Sequence, residues 1–369
     1  MRRPDDPLPG APDPWAGSTM PPVRSGPPFV MTEMIEAEPA FAERLLRRLL
    51  LEGSPASGLA RAIRSTVEAG RPVLVVGCGT SEHGAMAAAA ILADAVGSAP
   101  SAGRIVARQA LETALAPQDA GLLLGISHEG GTWATNEALA AARGAGIPTA
   151  LITVSDRSPG AALADIVVTT DEADQSWCHT VGYLSPILAA AAVGALARGA
   201  PLDTAAIRAL LADGVARAAA AGSMAAGLVD VEQLLVIASG SDRPAARELA
   251  LKVEEASYLP TVARDLETIL HGHLPATGRT TGLVLLMTDR ARRDDRARRA
   301  RGVLEAAGLL GLRAGAILAD GVADAWPDEL TPVGRLRVPE APALSAPAAA
   351  LIGSTTPLQL LAERLARAR

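Results

Sequence analysis

The sequence contains few of the residues that build disulfide frameworks or nucleic-acid surfaces. Its 369 residues include two cysteines, Cys78 and Cys178, which are too few for a disulfide framework. Aromatic residues make up 2% of the chain and no basic stripe is interleaved with them, so we expect no nucleic-acid partner. The formal net charge is −6, with 34 basic and 40 acidic residues, and this mixed charge is typical of a soluble protein.

Lysine is almost absent from the sequence. Lys252 is the only one, and every other basic residue apart from histidine is an arginine. A biased genome explains the excess of arginine, but it explains one retained lysine less well. An ammonium group differs from a guanidinium group in its pKa and in its capacity for proton transfer or imine formation. Lys252 is therefore a candidate functional residue.

Long apolar runs and targeting signals are absent as well. The longest apolar stretch, residues 187–197, is shorter than the roughly 18 residues that a membrane span needs. No signal-peptide pattern opens the chain. We therefore expect a soluble, cytoplasmic protein that does not bind a membrane.

The pattern along the chain is a repeated unit of apolar strand, Gly/Ser turn and amphipathic helix. Strands that alternate with helices predict an α/β fold with parallel sheets covered on both faces. Nine prolines within the first 28 residues predict a disordered tail. The predicted organisation is a tail over 1–28, an N-terminal helix over 29–59, a first domain over 60–200, a helical linker over 201–224 and a second domain with a C-terminal helix over 225–369.

Three Gly/Ser/Thr-rich loops of the first domain follow predicted strands or precede predicted helices. They are Gly77–Ser81, Ser127–Thr132 and Ser176–Thr180. Open parallel sheets bind ligands beyond the carboxyl ends of their strands, where loops enter helix N-termini. One such loop is ordinary helix capping, but three in one domain indicate a ligand site.

Histidines accompany these loops. Of the five in the chain, three lie in or beside the loops and two lie in a second candidate segment; they are His83, His128, His179, His271 and His273. A metal site of His83, His128 and His179 with Glu82 or Glu129 is chemically conceivable. Their spacing matches no standard ligand motif, so we expect no metal.

The second candidate segment combines a helix with a histidine-containing loop. Glu248, Lys252 and Glu255 stand at positions i, i+4 and i+7, so they share one face of the predicted helix. His271 and Gly272 follow. An ordinary ion pair on a solvated face has the same spacing, but the only lysine of the chain lies on this face, which favours a functional role.

Together these residues resemble the sugar isomerase (SIS) family, and in particular the isomerase half of glucosamine-6-phosphate synthase (glutamine–fructose-6-phosphate transaminase). The resemblance covers about residues 31–369. The motifs that carry it are Gly79-Thr80-Ser81, Ser127-x-x-Gly130-x-Thr132, Glu248-x-x-x-Lys252-x-x-Glu255-x-Ser257-Tyr258, His271-Gly272 and the stretch from Thr356 to Ala362.

The resemblance implies two flavodoxin-like SIS lobes, a homodimer and no cofactor. It also implies that Glu255 moves a proton between C1 and C2 through an enediol-like intermediate, while His271 assists ring opening and Lys252 stabilises the developing oxyanion. A sugar phosphate would be held mainly by the first lobe. The implied substrate-binding residues are Gly79, Thr80, Ser81, Ser127, His128, Glu129, Thr132, Thr180 and Glu248.

Two departures from the family bear on the substrate. Glu129 stands where the family usually has a phosphate-binding serine, and a carboxylate repels phosphate. Either the substrate lacks phosphate or carries an amine or hydroxyl that Glu129 recognises, or Glu129 points away from the pocket. No lysine follows Lys252, and a glutaminase half is missing, so we do not expect glutamine-dependent amination. An isomerase, an amino-sugar deaminase, a deglycase of sugar–amine adducts and a non-catalytic sugar-derivative sensor remain open.

Overall fold

The computed structural model describes residues 3–17, 26, 29–97 and 103–369, which divide into two compact units. The first unit comprises Met1–Pro21, Ala37–Gln175 and His179–Arg208. The second unit comprises Pro22–Glu36, Ser176–Cys178 and Ala209–Arg369. The main division after Arg208 falls within the stretch predicted as a helical linker.

The first unit is built on a five-stranded parallel sheet in the order β2-β1-β3-β4-β5. Strand β1 pairs with β2 and β3, so that Val73 lies opposite both Ile105 and Leu122. This is the flavodoxin-like order. The elements as far as the middle of the chain are α1 (Met31–Leu49), α2 (Pro55–Glu68), β1 (Val73–Gly77), α3 (Thr80–Val96), β2 (Ile105–Gln109), α4 (Ala110–Leu115), β3 (Leu122–Ile126), α5 (Trp133–Gly144), β4 (Thr149–Thr153), β5 (Ile166–Thr169), α6 (Val181–Arg198) and α7 (Thr204–Ala216).

Helices cover both faces of this sheet. Strands β1, β3 and β4 are buried along their whole length, as expected of central strands in a parallel sheet. On one face α2, α3 and α6 pack together, and on the other α5 packs against the sheet and α4. Alanine-rich helices allow this close approach, and Val76, Leu123 and Leu151 form the core beneath α5.

The second unit repeats the same topology. Its sheet order is β10-β9-β8-β6-β7, which matches that of the first sheet when read from β7. The prediction of two α/β lobes with parallel sheets is therefore confirmed. Its elements are α8 (Ala218–Leu228), β6 (Gln233–Ala238), α9 (Arg243–Ser257), β7 (Thr261–Asp265), β8 (Thr281–Met287), α10 (Arg293–Leu310), β9 (Arg313–Ala319), α11 (Asp320–Ala325), β10 (Gly334–Val338) and α12 (Ala346–Ala368).

Helix α6 is the one helix, within the described residues, that is long and apolar enough to cross a membrane. The helix is longer than the apolar run 187–197 because it also includes residues 181–186 and Arg198. The structure buries 83% of this span. Such burial is that of a core helix.

The proline-rich tail differs from the prediction of disorder where it is described. Leu8 is buried, at 4% exposure. Proline lacks a backbone N–H but keeps its carbonyl, and the Pro9 carbonyl accepts a hydrogen bond from the Ala173 N–H at 2.7 Å. Residues 3–17 therefore pack on the first unit. Residues 1, 2, 18–25, 27 and 28 of the predicted tail lie outside the described residues.

Candidate functional site

The first predicted loop turns sharply from β1 into α3. Gly77 is required there because a Cβ would overlap the Ser81 carbonyl, and Gly79 has a φ of +56°, which favours glycine. Thr80 and Ser81 are half-buried. The loop thus presents two hydroxyl side chains at the start of a helix, where backbone N–H groups favour an anion.

The second loop joins β3 to α5 and is folded by its own hydroxyls. The Ser127 hydroxyl lies 3.3 Å from the Thr132 hydroxyl and accepts the Gly130 N–H at 3.2 Å. Gly130 has a φ of +70°, and a Cβ there would overlap Ser158. Gly131 and Thr132 are exposed, so this loop also offers polar groups to a ligand.

His128 is buried behind the second loop and is neutral. Its Nε2 accepts the Asp174 N–H at 2.9 Å, so the proton of the neutral ring lies on Nδ1. Burial, reinforced by the neighbouring His179, lowers the pKa of His128 to about 4, although Asp174 and Glu129 oppose the shift. His128 is therefore uncharged at neutral pH.

Asp174 connects this histidine to the start of α6. Its Oδ2 accepts the N–H groups of Thr180 at 2.6 Å and Gly182 at 2.9 Å. The His179 ring lies 5.4 Å from the His128 ring, centroid to centroid. Sequence analysis placed His128 and Thr180 in the site but missed Asp174, because no local motif marks a carboxylate six residues before a helix start.

A metal centre does not form from these histidines. Across the described ranges, no group of three or more His, Cys, Asp or Glu side chains could hold a metal ion. The rings of His128 and His179 lie near each other, but the Nε2 of His128 is already occupied by the Asp174 N–H.

Helix α9 carries the predicted acid–base residues in the second unit. Lys252 and Glu248 are both fully buried, and the Lys252 Nζ lies 2.6 Å from Glu255 Oε2 and 3.4 Å from Glu248 Oε1. Burial disfavours the ammonium, but the two carboxylates outweigh it and raise the pKa of Lys252. The side chain of Glu255 is 26% exposed, so it alone of the three reaches the surface.

His271, the other predicted catalytic residue of the second unit, does not join this group. His271 has a side chain that is 69% exposed, and its Nε2 lies 2.8 Å from Glu267 Oε1. Glu267 also binds Arg299. Ser257 donates to the Val253 carbonyl at 2.7 Å, which is a structural contact. Glu248, predicted to bind substrate, is fully buried and lies 3.4 Å from the Lys252 Nζ.

The corresponding loops of the second unit are closed by their own carboxylates. Asp242, after β6, accepts the N–H groups of Thr288 at 2.8 Å and Asp289 at 3.0 Å. Asp289, after β8, accepts the Ser241 N–H at 2.9 Å and the Arg296 guanidinium at 2.7 Å. Burial raises the pKa of Asp242. The pKa of Asp289 is lowered because backbone N–H groups and Arg296 outweigh burial.

Comparison with known proteins agrees with the fold of two α/β units. The SIS domain family model matches residues 68–197. The C-terminal domain of glucosamine-fructose-6-phosphate aminotransferase from Francisella tularensis has a TM-score of 0.77 at 20% identity, over 94% of this chain and 97% of that one. None of the curated proteins matches the chain.

Two enzymes of sugar-phosphate metabolism share the fold at lower identity. Tagatose-6-phosphate ketose/aldose isomerase from Escherichia coli has a TM-score of 0.71 at 17% identity, over 95% of both chains. Glucosamine-6-phosphate deaminase from Thermotoga maritima has a TM-score of 0.59 at 15% identity, over 91% of this chain and 92% of that one. At these identities the likeness establishes the fold.

Proposed function

Because residues 68–197 form a SIS domain, we propose that the protein is an isomerase or amino-sugar deaminase that acts at C1 and C2 of a hexose phosphate. Glutamine-dependent amination is not part of this proposal. The proposal is supported by the hydroxyl-bearing loops that follow β1 and β3, and by the solved relatives that act on sugar phosphates. The protein would carry out this reaction in the cytoplasm, without a metal or an organic cofactor.

The observation that carries the proposal is the geometry of Glu255. Its carboxylate is held at 2.6 Å by the buried ammonium of Lys252 and remains partly exposed, so it can exchange a proton with a bound ligand. In an open-chain aldose, Glu255 would take the proton from C2. The C–H electron pair would form the C1–C2 double bond and O1 would gain a proton, which gives an enediol. Glu255 would then return its proton to C1 while O2 releases its proton and becomes the C2 carbonyl oxygen, so that one hydrogen moves from C2 to C1 and one from O2 to O1.

Lys252 has a different role from the one that the resemblance implies. Its side chain is fully buried, so it does not reach a ligand oxygen. We assign it as a positioning residue that fixes the orientation of Glu255 and offsets the buried charge of Glu248. Lys252→Met should therefore lower the rate of proton exchange, because Glu255 loses its orientation, and should change the pH profile of that rate. Ligand affinity should stay nearly unchanged.

The test is exchange of carbon-bound hydrogen in D₂O, followed by NMR. Fructose 6-phosphate, glucosamine 6-phosphate and tagatose 6-phosphate serve as probes, each beside its unphosphorylated form. We expect deuterium at C1 or C2 with the wild type, and a loss of about 10²-fold or more with Glu255→Gln. Exchange that survives Glu255→Gln would disprove the assigned mechanism.

Glu254→Gln is the matched control for this experiment. Glu254 is the exposed neighbour of Glu255, and its Oε1 accepts the Thr261 N–H at 3.2 Å. A glutamine oxygen can accept the same bond. Glu254→Gln should therefore exchange deuterium at the wild-type rate, which separates the chemistry of Glu255 from a general effect of charge on α9.

A non-catalytic sugar-phosphate sensor is the second candidate function. It is favoured by one observation, the absence of His271 from the Lys252–Glu255 group, since ring opening needs an acid–base group near the ligand. Tight binding of a hexose phosphate without deuterium exchange in any probe would select this function. A deglycase would instead release an amine from a sugar–amine adduct, with Glu255 again essential.

We also propose a homodimer in which His271 acts on the neighbouring copy. Its exposure allows this, and SIS proteins, which the sequence resembles, commonly share residues between chains. Light scattering should give the mass of a dimer. Mixing equal amounts of inactive His271→Asn and Glu255→Gln chains should restore about a quarter of the wild-type activity, because about half of the dimers are then mixed and each mixed dimer has one intact site of two. No recovery on mixing would place both residues in one chain.

A further inference from the structure

A proline-rich strap, residues 8–15, crosses the carboxyl edge of the first sheet. At β5 its start is held by the residues that follow the strand. The Leu8 N–H donates to Glu172 Oε2 at 2.7 Å, and the Pro9 carbonyl accepts the Ala173 N–H at 2.7 Å. Arg44 holds Glu172 in place with two bonds, at 2.7 and 2.8 Å. This end of the strap is therefore anchored by the buried Leu8 side chain and by hydrogen bonds of its backbone.

The middle of the strap lies at the end of β4. Arg157, in the loop after β4, forms an ion pair with Asp13 at 2.5 Å. The same guanidinium donates to the Ala11 carbonyl at 3.3 Å, and the Arg157 N–H is fixed by the Ser155 hydroxyl at 3.2 Å. With increasing residue number, the strap therefore passes from the carboxyl end of β5 to the carboxyl end of β4.

The strap reaches the end of β3 at Trp15. The indole Nε1 donates to the Glu129 carbonyl at 3.2 Å. A Cβ on Gly131 would lie 3.1 Å from two carbons of the indole ring, so the ring rests on a residue that has no side chain. Both contacts are made to the loop Ser127–Thr132, in which Thr132 is exposed.

The order of these contacts gives the strap a direction. Strands β5, β4 and β3 are successive neighbours in the sheet, and β1 is next. The crossover direction of the chain changes between β3 and β1, and open α/β sheets bind ligands at such a point. The strap therefore brings Trp15 to the rim of the ligand loops, with the indole half-buried and part of its surface left uncovered.

The placement of tryptophan in the sequence supports a role at the ligand. Of four tryptophans, Trp326 belongs to the core of the second unit. Trp15 contacts the second loop, Trp133 follows it, and Trp177 lies in the third. An indole offers a large apolar face together with a polar N–H, which suits the C–H face of a hexose.

We propose that Trp15 is a specificity-determining residue that contacts the hexose of the bound ligand, and that the strap positions it. The proposal rests on the proposed sugar-phosphate function and adds a contact outside the SIS domain match. Its chemical basis is apolar contact of the indole with the sugar carbons, whereas the Ser and Thr loops bind the anionic end. Trp15 should therefore discriminate hexose phosphates from inorganic phosphate.

The experiment compares dissociation constants of fructose 6-phosphate, glucosamine 6-phosphate and inorganic phosphate. We expect a hexose phosphate to change tryptophan emission in the wild type, and Trp15→Phe to remove most of that change. Trp15→Ala should weaken hexose phosphate binding by about tenfold and leave inorganic phosphate binding unchanged. Leu8→Asp, which releases the remote anchor, should weaken hexose phosphate binding in the same direction.

Leu51→Asp is the matched control, because Leu51 is 59% exposed, belongs to the first unit and is not part of the strap. It should bind every probe as the wild type does. Hexose phosphate binding that is as tight in Trp15→Ala and Leu8→Asp as in the wild type overturns this inference and leaves the proposed function standing. Absence of hexose phosphate binding in the wild type overturns the proposed function, and this inference with it.

Discussion

The two units share one sheet topology but treat the same position in it differently. In the first unit, the loops after β1 and β3 carry serine, threonine and glycine, and the hydroxyls of the loop after β3 bond within that loop, at 3.2 and 3.3 Å. In the second unit, the loops after β6 and β8 are bound to each other through Asp242 and Asp289. These carboxylates occupy the backbone N–H groups that an anionic ligand would use.

The difference shows how one repeat can be kept for binding and the other for stability. A parallel sheet brings helix N-termini and loop N–H groups together at its carboxyl edge, and this favours an anion. The second unit supplies its own anions, with Arg296 as their counter-ion. In the first unit Thr132 is exposed and Thr80 and Ser81 are half-buried, and Glu129 is the one carboxylate in the loops Gly77–Ser81 and Ser127–Thr132. The first unit is therefore the one to probe with an anionic ligand.

The largest expected effect is on the closed loops of the second unit. Asp242→Ala removes the acceptor of two buried N–H groups and of the Thr288 hydroxyl. Unsatisfied buried donors should lower the free energy of unfolding by about 3–5 kcal/mol, measured by urea denaturation. Asp265→Ala, which loses an exposed ion pair with Arg243, should cost below about 1 kcal/mol. Equal losses would show that the loops are not closed by Asp242.

A fall in pH should change the free energy of unfolding in opposite directions through the buried His128 of the first unit and the buried Asp242 of the second. The pKa of His128 is lowered from 6.5 to about 4, so the unfolded chain binds a proton first as the pH falls. Its contribution should lower the free energy of unfolding between pH 6.5 and pH 4, by about 3 kcal/mol in total. The raised pKa of Asp242 acts in the opposite direction, since its unfavourable ionised form is relieved in acid.

His128→Gln isolates the histidine contribution. A glutamine oxygen can accept the Asp174 N–H but does not titrate. Urea denaturation from pH 7 to pH 4 should show a shallower loss of stability in this variant than in the wild type. Parallel pH profiles for the two proteins would show that His128 is not held neutral by burial.

An intermediate effect is expected when the first unit loses its loop carboxylate. Glu129→Ser restores the residue type that the SIS resemblance implies and removes a negative charge near the ligand loop. Affinity for fructose 6-phosphate should rise by about tenfold, or 1.4 kcal/mol, as measured by calorimetry. Unchanged affinity would place the Glu129 carboxylate away from the ligand, and a fall would indicate that it binds an amine or hydroxyl group.

The smallest effect on stability is expected at Ser127. In Ser127→Ala the Gly130 N–H loses the hydroxyl but keeps the Ser127 carbonyl at 3.1 Å. The free energy of unfolding should therefore change by less than about 1 kcal/mol, while the dissociation constant of a hexose phosphate rises. A loss as large as that of Asp242→Ala would mean that the open loops of the first unit are as structural as the closed ones.

The sequence pattern predicted β5 and every central strand but missed β2, β7 and β10, which are edge strands. Each of these three carries at least one arginine, as in Gly334–Val338, and a charged residue interrupts the apolar run that marks a buried strand. The sequence pattern predicts the last helix, α12, from about Thr356. The structure begins it at Ala346, after the N-cap Ser345 and with Pro347 in the first turn, which is a readable start signal.

The candidate site was predictable where chemistry is local. The spacing of Glu248, Lys252 and Glu255 correctly placed them together on α9, and the loop glycines marked real turns. Burial was not predictable from spacing, so Lys252 and Glu248 were expected at the ligand. The contacts of Asp174 and Trp15 join segments 46 and 114 residues apart, and no local pattern reports such pairing.

The burial of Lys252 also decides how the protein meets amine-selective reagents. It is the only lysine and its side chain has no exposure, so the folded chain offers no lysine amine to an acylating or cross-linking probe. Lys252 gains reactivity only when α9 opens. The rate of acylation at Lys252, measured by mass spectrometry, therefore reports how often the segment that carries Glu255 opens.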